Sequence, residues 1–253
     1  MTSSRQSSAL LPFLEKLEQG REFTLEEQQA ILTLPFDSVQ IDANRDFKRE
    51  GQPVDRSCFV LEGMVGAFKQ DRRGHRQVVS IYIRGDMVDL HSVPVPETAA
   101  ALQSLVPTTV LQVPHSALRE VAAKSPNIAM AFWRETVIDA AILMEWVMNI
   151  GQRDARTRMA HFLCELAYRC QRSTPEDGME IPYAITQFAL ADILGLTAVH
   201  VNRTLQRLRN EGLIDTVDRS IQRILNWNGL AKVGEFDPGY LHIDEEDRRR
   251  AAA

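Results

Sequence analysis

Cysteine is scarce in this chain. There are three in 253 residues, Cys58, Cys164 and Cys170, an odd number with no CxxC spacing. That pattern fits neither a disulfide framework nor a thiolate zinc site, and it points to a reducing, cytoplasmic setting. No apolar run approaches the roughly 18 residues a membrane helix needs, which excludes a membrane-embedded class. The amino-terminal "MTSSRQSSALLPFLEKLEQG" has only a short apolar stretch and no cleavage-like site, so it does not read as a secretory signal. A basic surplus is missing as well: the formal net charge is −5. What is present is globular material, 44% apolar against 25% charged residues, enough to exclude wholesale disorder and to build one large domain or two ordinary ones.

The charge is unevenly spread, and for a nucleic-acid partner the distribution matters more than the sum. Residues 1–150 carry −4 and the tail 228–253 carries −2, whereas 151–227 carry +1. Within that last stretch, 197–210 holds Arg203, Arg207 and Arg209 and no acid. A local basic face on an acidic protein is compatible with DNA.

Between residues 36 and 113 glycine falls at a regular beat, at Gly51, Gly63, Gly74 and Gly85. The intervening runs "SCFVLEG", "GAFKQ" and "QVVSIYI" are short and β-rich, as in a β-barrel or sandwich, with "DRRGHR" as a hairpin turn. Upstream, "TLEEQQAILTL" reads as a helix with a capping box at Thr24 and Glu27.

Ser125-Pro126 predicts the start of a second, longer helix. Small or apolar residues then recur at Met130, Val137, Ala141, Met144, Met148 and Gly151, interrupted by Arg134. A second apolar side carries Trp133, Ile138, Ile142 and Trp146. The stripe suits a coiled-coil-like dimer seam, or a helix lying on its own barrel. Further on come an amphipathic helix at "QRDARTRMAHFLCELAYRC", a short strand at "EIPYAI", and two strands in "LIDTVDRSIQRILNW" around a turn at Asp218–Ser220.

Between them, Thr186 can cap "QFALADIL", which ends at Gly195, and Thr197 can cap the next helix. So short a link forces a steep crossing, the helix-turn-helix arrangement. In the second helix Val201, Leu205 and Leu208 form the buried stripe. Val199, Arg203, Gln206 and Asn210 lie opposite, flanked by His200 and Arg207. Arg203 suits a bidentate bond to guanine O6 and N7, and Val199 can touch a thymine methyl. Thr197 and His200 suit phosphates, and Asn202 and Arg207 complete the candidate DNA-binding set.

The order of β-barrel, long helix and winged helix-turn-helix resembles the Crp/Fnr family of bacterial transcription regulators. "LADILGLTAVHVNRTLQRLRNEGLI" is similar to that family's DNA-reading signature, and "FKREGQPVDRSCFVLEGMVGAFKQDRRGHRQVVSIYIRGD" to its effector-domain roll. The resemblance implies an α+β fold in four parts: a β-roll (jelly-roll-like barrel) at 1–124, a dimerisation helix and linker at 125–152, a winged helix-turn-helix domain at 153–228, and an extension at 229–253. It implies a cytoplasmic, non-enzymatic homodimer that binds palindromic double-stranded DNA and meets RNA polymerase. It assigns Arg203 to guanine, Thr197 and His200 to the DNA backbone, and Arg158 to another phosphate. Family members often carry an acid at the site of Val199, and the best-known cyclic-AMP member an arginine at the site of Ala198, so their half-site sequence does not transfer.

The family's cyclic-nucleotide members have a Gly-Glu pair for the ribose and an Arg-Ser pair for the phosphate after the "GD" turn. Here that segment has no Gly-Glu, and no Arg or Lys between Arg84 and Arg119. A buried cyclic phosphate without a cation is disfavoured, so the effector is not expected to be cyclic AMP and no cofactor is assigned. Asp86, Asp89 and His91 could suggest a metal, but no fourth ligand is evident, and they read as a turn acid and solvent-facing polar residues. The iron–sulfur members' amino-terminal cysteines are lacking, and Cys164 and Cys170, roughly 9 Å apart along one helix, are too far apart for a disulfide. His75 reads as solvated. Two other function classes remain: an enzyme on a cupin-like barrel, disfavoured because His75 and His91 lack ligand spacing, and a protein-binding winged-helix module.

Overall fold

The computed structural model describes residues 9–19, 21–217 and 221–243. By internal contacts the described chain divides into two compact units, residues 9–68 with 81–139, and residues 69–80 with 140–243.

The first unit opens with helices α1 (Leu11–Leu17) and α2 (Leu25–Leu32). The capping box at Thr24 is present: its hydroxyl accepts from the Glu27 amide, and the Glu27 carboxylate accepts from the Thr24 amide. The strands are β1 (Asp37–Ile41), β2 (Arg45–Lys48), β3 (Arg56–Glu62), β4 (Met64–Gln70), β5 (Arg76–Ile83), β6 (Ala101–Ser104) and β7 (Thr108–Pro114), of which the end of β4 and residues 76–80 of β5 count with the second unit. They form two sheets, ordered β1-β7-β3 and β2-β6-β4-β5. β7 pairs antiparallel with β1 and with β3, from Arg56 opposite Pro114 to Glu62 opposite Thr109, with a register shift between Val60 and Glu62. Phe13 of α1 packs on Phe59 and Phe132, with ring centroids 5.7 and 6.0 Å apart, beside buried Leu111, Val113 and Leu118. Helices α3 (His115–Lys124) and α4 (Pro126–Gln152) follow.

Asp86 and Asp89 are not solvent-facing, which corrects the sequence expectation. Asp89 is 1% exposed and pairs with Lys48 at 2.6 Å, while also accepting from the Cys58 amide. Asp86 pairs with Lys16 at 2.6 Å, and Lys16 also meets Glu135 at 2.8 Å. Each aspartate therefore ties the loop after β5 to another element, because a buried carboxylate needs a cation or several donors. Burial, with Asp89 alongside, pushes the Cys58 thiol up to about 12, so it is an inert core residue.

In the second unit, α5 (Ala155–Gln171) is followed by α6 (Gln187–Leu194), α7 (Ala198–Asn210), the paired strands β8 (Ile214–Val217) and β9 (Ile221–Ile224), and α8 (Trp227–Gly234). The expected strand at "EIPYAI" is reduced to one bridge, Glu180 with Arg223. The expected turn at 218–220 lies outside the described residues. Cys164 is buried and Cys170 half-buried, and neither forms a disulfide among the described residues.

Along α4 the two apolar sides separate. Ile138, Ile142 and Trp146 are buried, whereas Met130, Val137, Met144, Val147 and Met148 are exposed. Trp133 is 63% exposed and belongs with the exposed stripe, four residues before Val137, and not with Ile138, Ile142 and Trp146 as the sequence reading grouped it.

The Lys48–Asp89 pair gives the first prediction. Asp89→Asn leaves a buried ammonium unpaired and is expected to lower unfolding free energy by about 3–5 kcal/mol. Lys124→Ala breaks the exposed pair with Glu120 and should leave stability nearly unchanged. Chemical denaturation of the two variants measures the contrast.

Candidate nucleic-acid interface

The helix pair forms because three local signals agree. The Thr186 hydroxyl accepts from the Ala189 amide at 3.1 Å and starts α6. Gly195 stops it with φ +61°, a left-handed conformation that costs glycine little. The Thr197 hydroxyl then accepts from the His200 amide at 3.2 Å and starts α7. Val201, Leu205 and Leu208 of α7 are buried as the spacing predicts. Thr204 joins them, its hydroxyl donating to the His200 carbonyl at 2.8 Å.

The opposite face of α7 is open. Thr197, Val199, His200, Arg203, Gln206 and Arg207 are exposed, and Asn202 is half-buried. Thr197, Val199, His200, Arg203 and Arg207 line one groove of about 580 Å³ with Asp154 and Arg156. Arg203 has no hydrogen-bond or ion-pair partner among the described residues, so its guanidinium is free to engage a base edge. Arg209 instead donates to Thr216 at 2.8 Å and ties α7 to the first wing strand.

Arg158 departs from its expected phosphate role. Its Nη1 donates to the Leu194 carbonyl at 2.6 Å, and its Nη2 to the carbonyls of Ile150 at 2.7 Å and Arg153 at 3.1 Å. The orphan carbonyls at helix C-termini need donors, and a planar guanidinium can serve several at once. Gln77, in the same unit, donates to the Asp192 and Ile193 carbonyls at 2.9 and 3.1 Å. The end of α6 is thus capped by side chains remote in sequence.

Sequence reasoning missed Arg156, Glu211 and Gln77. Glu211 accepts from Arg156 through both oxygens and from Arg207 at 3.1 Å. Hydrogen bonds from Arg156, then Arg207, hold its carboxyl below the usual range. The i,i+4 spacing of Arg207 and Glu211 was readable; the approach of Arg156 across 55 residues was not.

Also missed was a clasp at the carboxyl end. The Tyr240 hydroxyl donates to Glu165 at 2.8 Å, and Trp146 donates to the same oxygen at 2.9 Å. The His161 ring donates through Nδ1 to the Gly234 carbonyl at 3.0 Å and stacks on Tyr240. A side chain at Gly234 would strike the His161 backbone at 2.7 Å, so glycine permits this contact. Burial holds the His161 ring below its usual pKa and raises Tyr240 well above its own, so both are neutral near pH 7.

With this geometry in hand, comparison with known proteins is informative. A Crp-like helix-turn-helix domain model matches residues 157–233, and a cyclic nucleotide-binding domain model matches 39–125. The nitrogen fixation regulation protein FixK of Azorhizobium caulinodans is 26% identical over 171 residues, 68% of each chain. The cAMP-activated global transcriptional regulator CRP of Salmonella typhimurium is 23% identical over 174 residues, 68% of this chain and 82% of that one. The structure of FixK2 from Bradyrhizobium japonicum superposes with a TM-score of 0.71 at 23% identity, over 79% of this chain and 98% of that chain. A roll, a long helix and a winged helix-turn-helix define a DNA-binding transcription regulator rather than an enzyme. The chain belongs to the CRP/FNR family of such regulators.

The clasp gives a second prediction. Tyr240→Phe removes a hydrogen bond to a charged group and should cost about 1.5–3 kcal/mol of stability in denaturant titrations. Depression of His161 has a definite sign: stability is full above the free imidazole pKa of about 6.5 and declines as pH falls through the lower folded value. His161→Gln should flatten that decline in unfolding measurements across pH 7 to 5.

Proposed function

We propose that the chain acts as a homodimer whose 153–228 modules read the two half-sites of a palindromic operator. The observation that carries this reading is Arg203, exposed and unpaired among the described residues, next to the apolar tip of Val199. Arg203 reads a guanine, Val199 packs on a thymine methyl, and Asn202 lies within reach of base edges. Thr197 and His200 serve the phosphates, while Arg156 and Arg207 line the same groove with their guanidinia on Glu211. Arg158 is left out of the set because both of its Nη groups are engaged by backbone carbonyls.

The dimer seam is the exposed stripe of α4. Met130, Trp133, Val137, Met144, Val147 and Met148 give one helix more open apolar surface than an isolated subunit ordinarily carries. Two copies paired along it set two recognition helices about one helical turn of DNA apart. The roll at 1–124 serves as the sensor, for an effector other than cyclic AMP bound in the familiar way, since no cation follows Arg84 until Arg119. RNA polymerase is the downstream partner and the cytoplasm the setting.

Two measurements test this. Arg203→Ala and Arg203→Lys should each lose about 1–3 kcal/mol of discrimination for the operator while keeping most binding to random duplex; equal operator affinity overturns the base-reading role. Met144→Glu should shift the protein to monomer in sedimentation, and an undisturbed dimer would overturn the seam.

A further inference from the structure

Three arginines line the reading groove, and they are not equivalent. Arg203 is unpaired among the described residues, whereas Arg156 and Arg207 share Glu211. Arg156 grips the carboxylate in bidentate fashion, Nε to both oxygens at 3.0 and 2.9 Å and Nη2 at 2.5 Å. Arg207 adds its Nε at 3.1 Å. Glu211 follows the last residue of α7 and keeps the backbone role of a helix cap, its amide bonding the Arg207 and Arg209 carbonyls. Nothing in that backbone role requires an acid, and the carboxylate binds two of the three arginines that line the groove.

We infer that Glu211 is a specificity-setting residue, an internal competitor that occupies the guanidinia of Arg156 and Arg207 in place of DNA phosphate. The inference rests on the DNA-reading face described above. Non-specific affinity comes from cations that displace counterions from the phosphate backbone. A guanidinium already neutralised by a carboxylate gains little by exchanging it for a phosphate, so Arg156 and Arg207 add little to binding at random sequence. Arg203 keeps its full value, because its partner is a base edge. The carboxylate also repels the backbone wherever the complex is out of register. Glu211 therefore widens the gap between the operator and all other DNA by lowering the second term.

The test compares wild type with Glu211→Gln, which keeps size, the helix cap and neutral hydrogen bonding. Two probes are titrated over a range of salt: a random-sequence duplex and the duplex that wild type enriches in a binding selection. The expected result is a three- to tenfold gain, roughly, on the random duplex, with a log–log salt slope steeper by about 0.9–1.8 for one or two new phosphate contacts. The gain on the enriched duplex should be smaller, so the ratio narrows. Arg156→Gln in the Glu211→Gln background should return the slope toward wild type, which a merely structural role for Glu211 would not produce. Random-duplex affinity that is unchanged or weaker in Glu211→Gln, with equal melting temperature, overturns the competitor role alone. A wild type that binds neither duplex in a salt-dependent way overturns the DNA reading beneath it, and this inference with it.

Discussion

The Arg158 guanidinium joins three pieces of backbone: the end of the first helix of the pair, a carbonyl in the last turn of the long α4 helix, and the link between α4 and α5. Everything the recognition helix does depends on that junction. A helix end exposes carbonyls that must find donors, and here a charged, planar donor satisfies several of them at once. Gln77 supplies the two carbonyls that Arg158 does not reach. The steep link at Gly195 is held from outside, so α7 keeps one angle to α6 and its open face keeps one aspect toward solvent. A lysine at 158 could not span three carbonyls with the same geometry.

A second constraint is electrostatic. The chain is acidic overall, yet its reading face is cationic, and the balance is struck residue by residue. Buried carboxylates inside the roll are each matched to an ammonium, Asp89 to Lys48 and Asp86 to Lys16. On the groove, one carboxylate is matched to two guanidinia and a third guanidinium is left free. The first arrangement fixes a fold; the second is the one we propose tunes the response to a polyanion.

Local rules made much of this legible from residues alone. The caps at Thr24, Thr186 and Thr197, the stop at Gly195 and the buried stripe of Val201, Leu205 and Leu208 depend only on neighbours within one or two turns, so periodicity and capping chemistry reveal them. The exposed position of Arg203 on the open face of α7 was legible for the same reason. What failed depends on long-range approach. The resemblance assigned Arg158 to a phosphate; its hold on the carbonyls of Leu194 and Ile150, 36 and 8 residues away, was not legible. Asp86 and Asp89 looked solvated because their lysines come from helix α1 and strand β2. Trp133 was grouped with the wrong side of α4, although helical spacing sets it on the same face as Val137 and Met144. The "EIPYAI" strand shrank to one bridge because, among the described residues, the backbone bonds to β9 stop at Ile181, and Pro182 has no amide hydrogen to extend the ladder.

The central claim is that a free arginine on a rigidly held helix makes this chain a sequence reader in dimeric form. An unbiased selection of random duplex DNA with the purified full-length protein tests it most directly. The account predicts enrichment of an inverted repeat with a guanine in each half-site and centres about one helical turn apart. Recovery of DNA with no common sequence, or of a lone half-site without its mate, would contradict it.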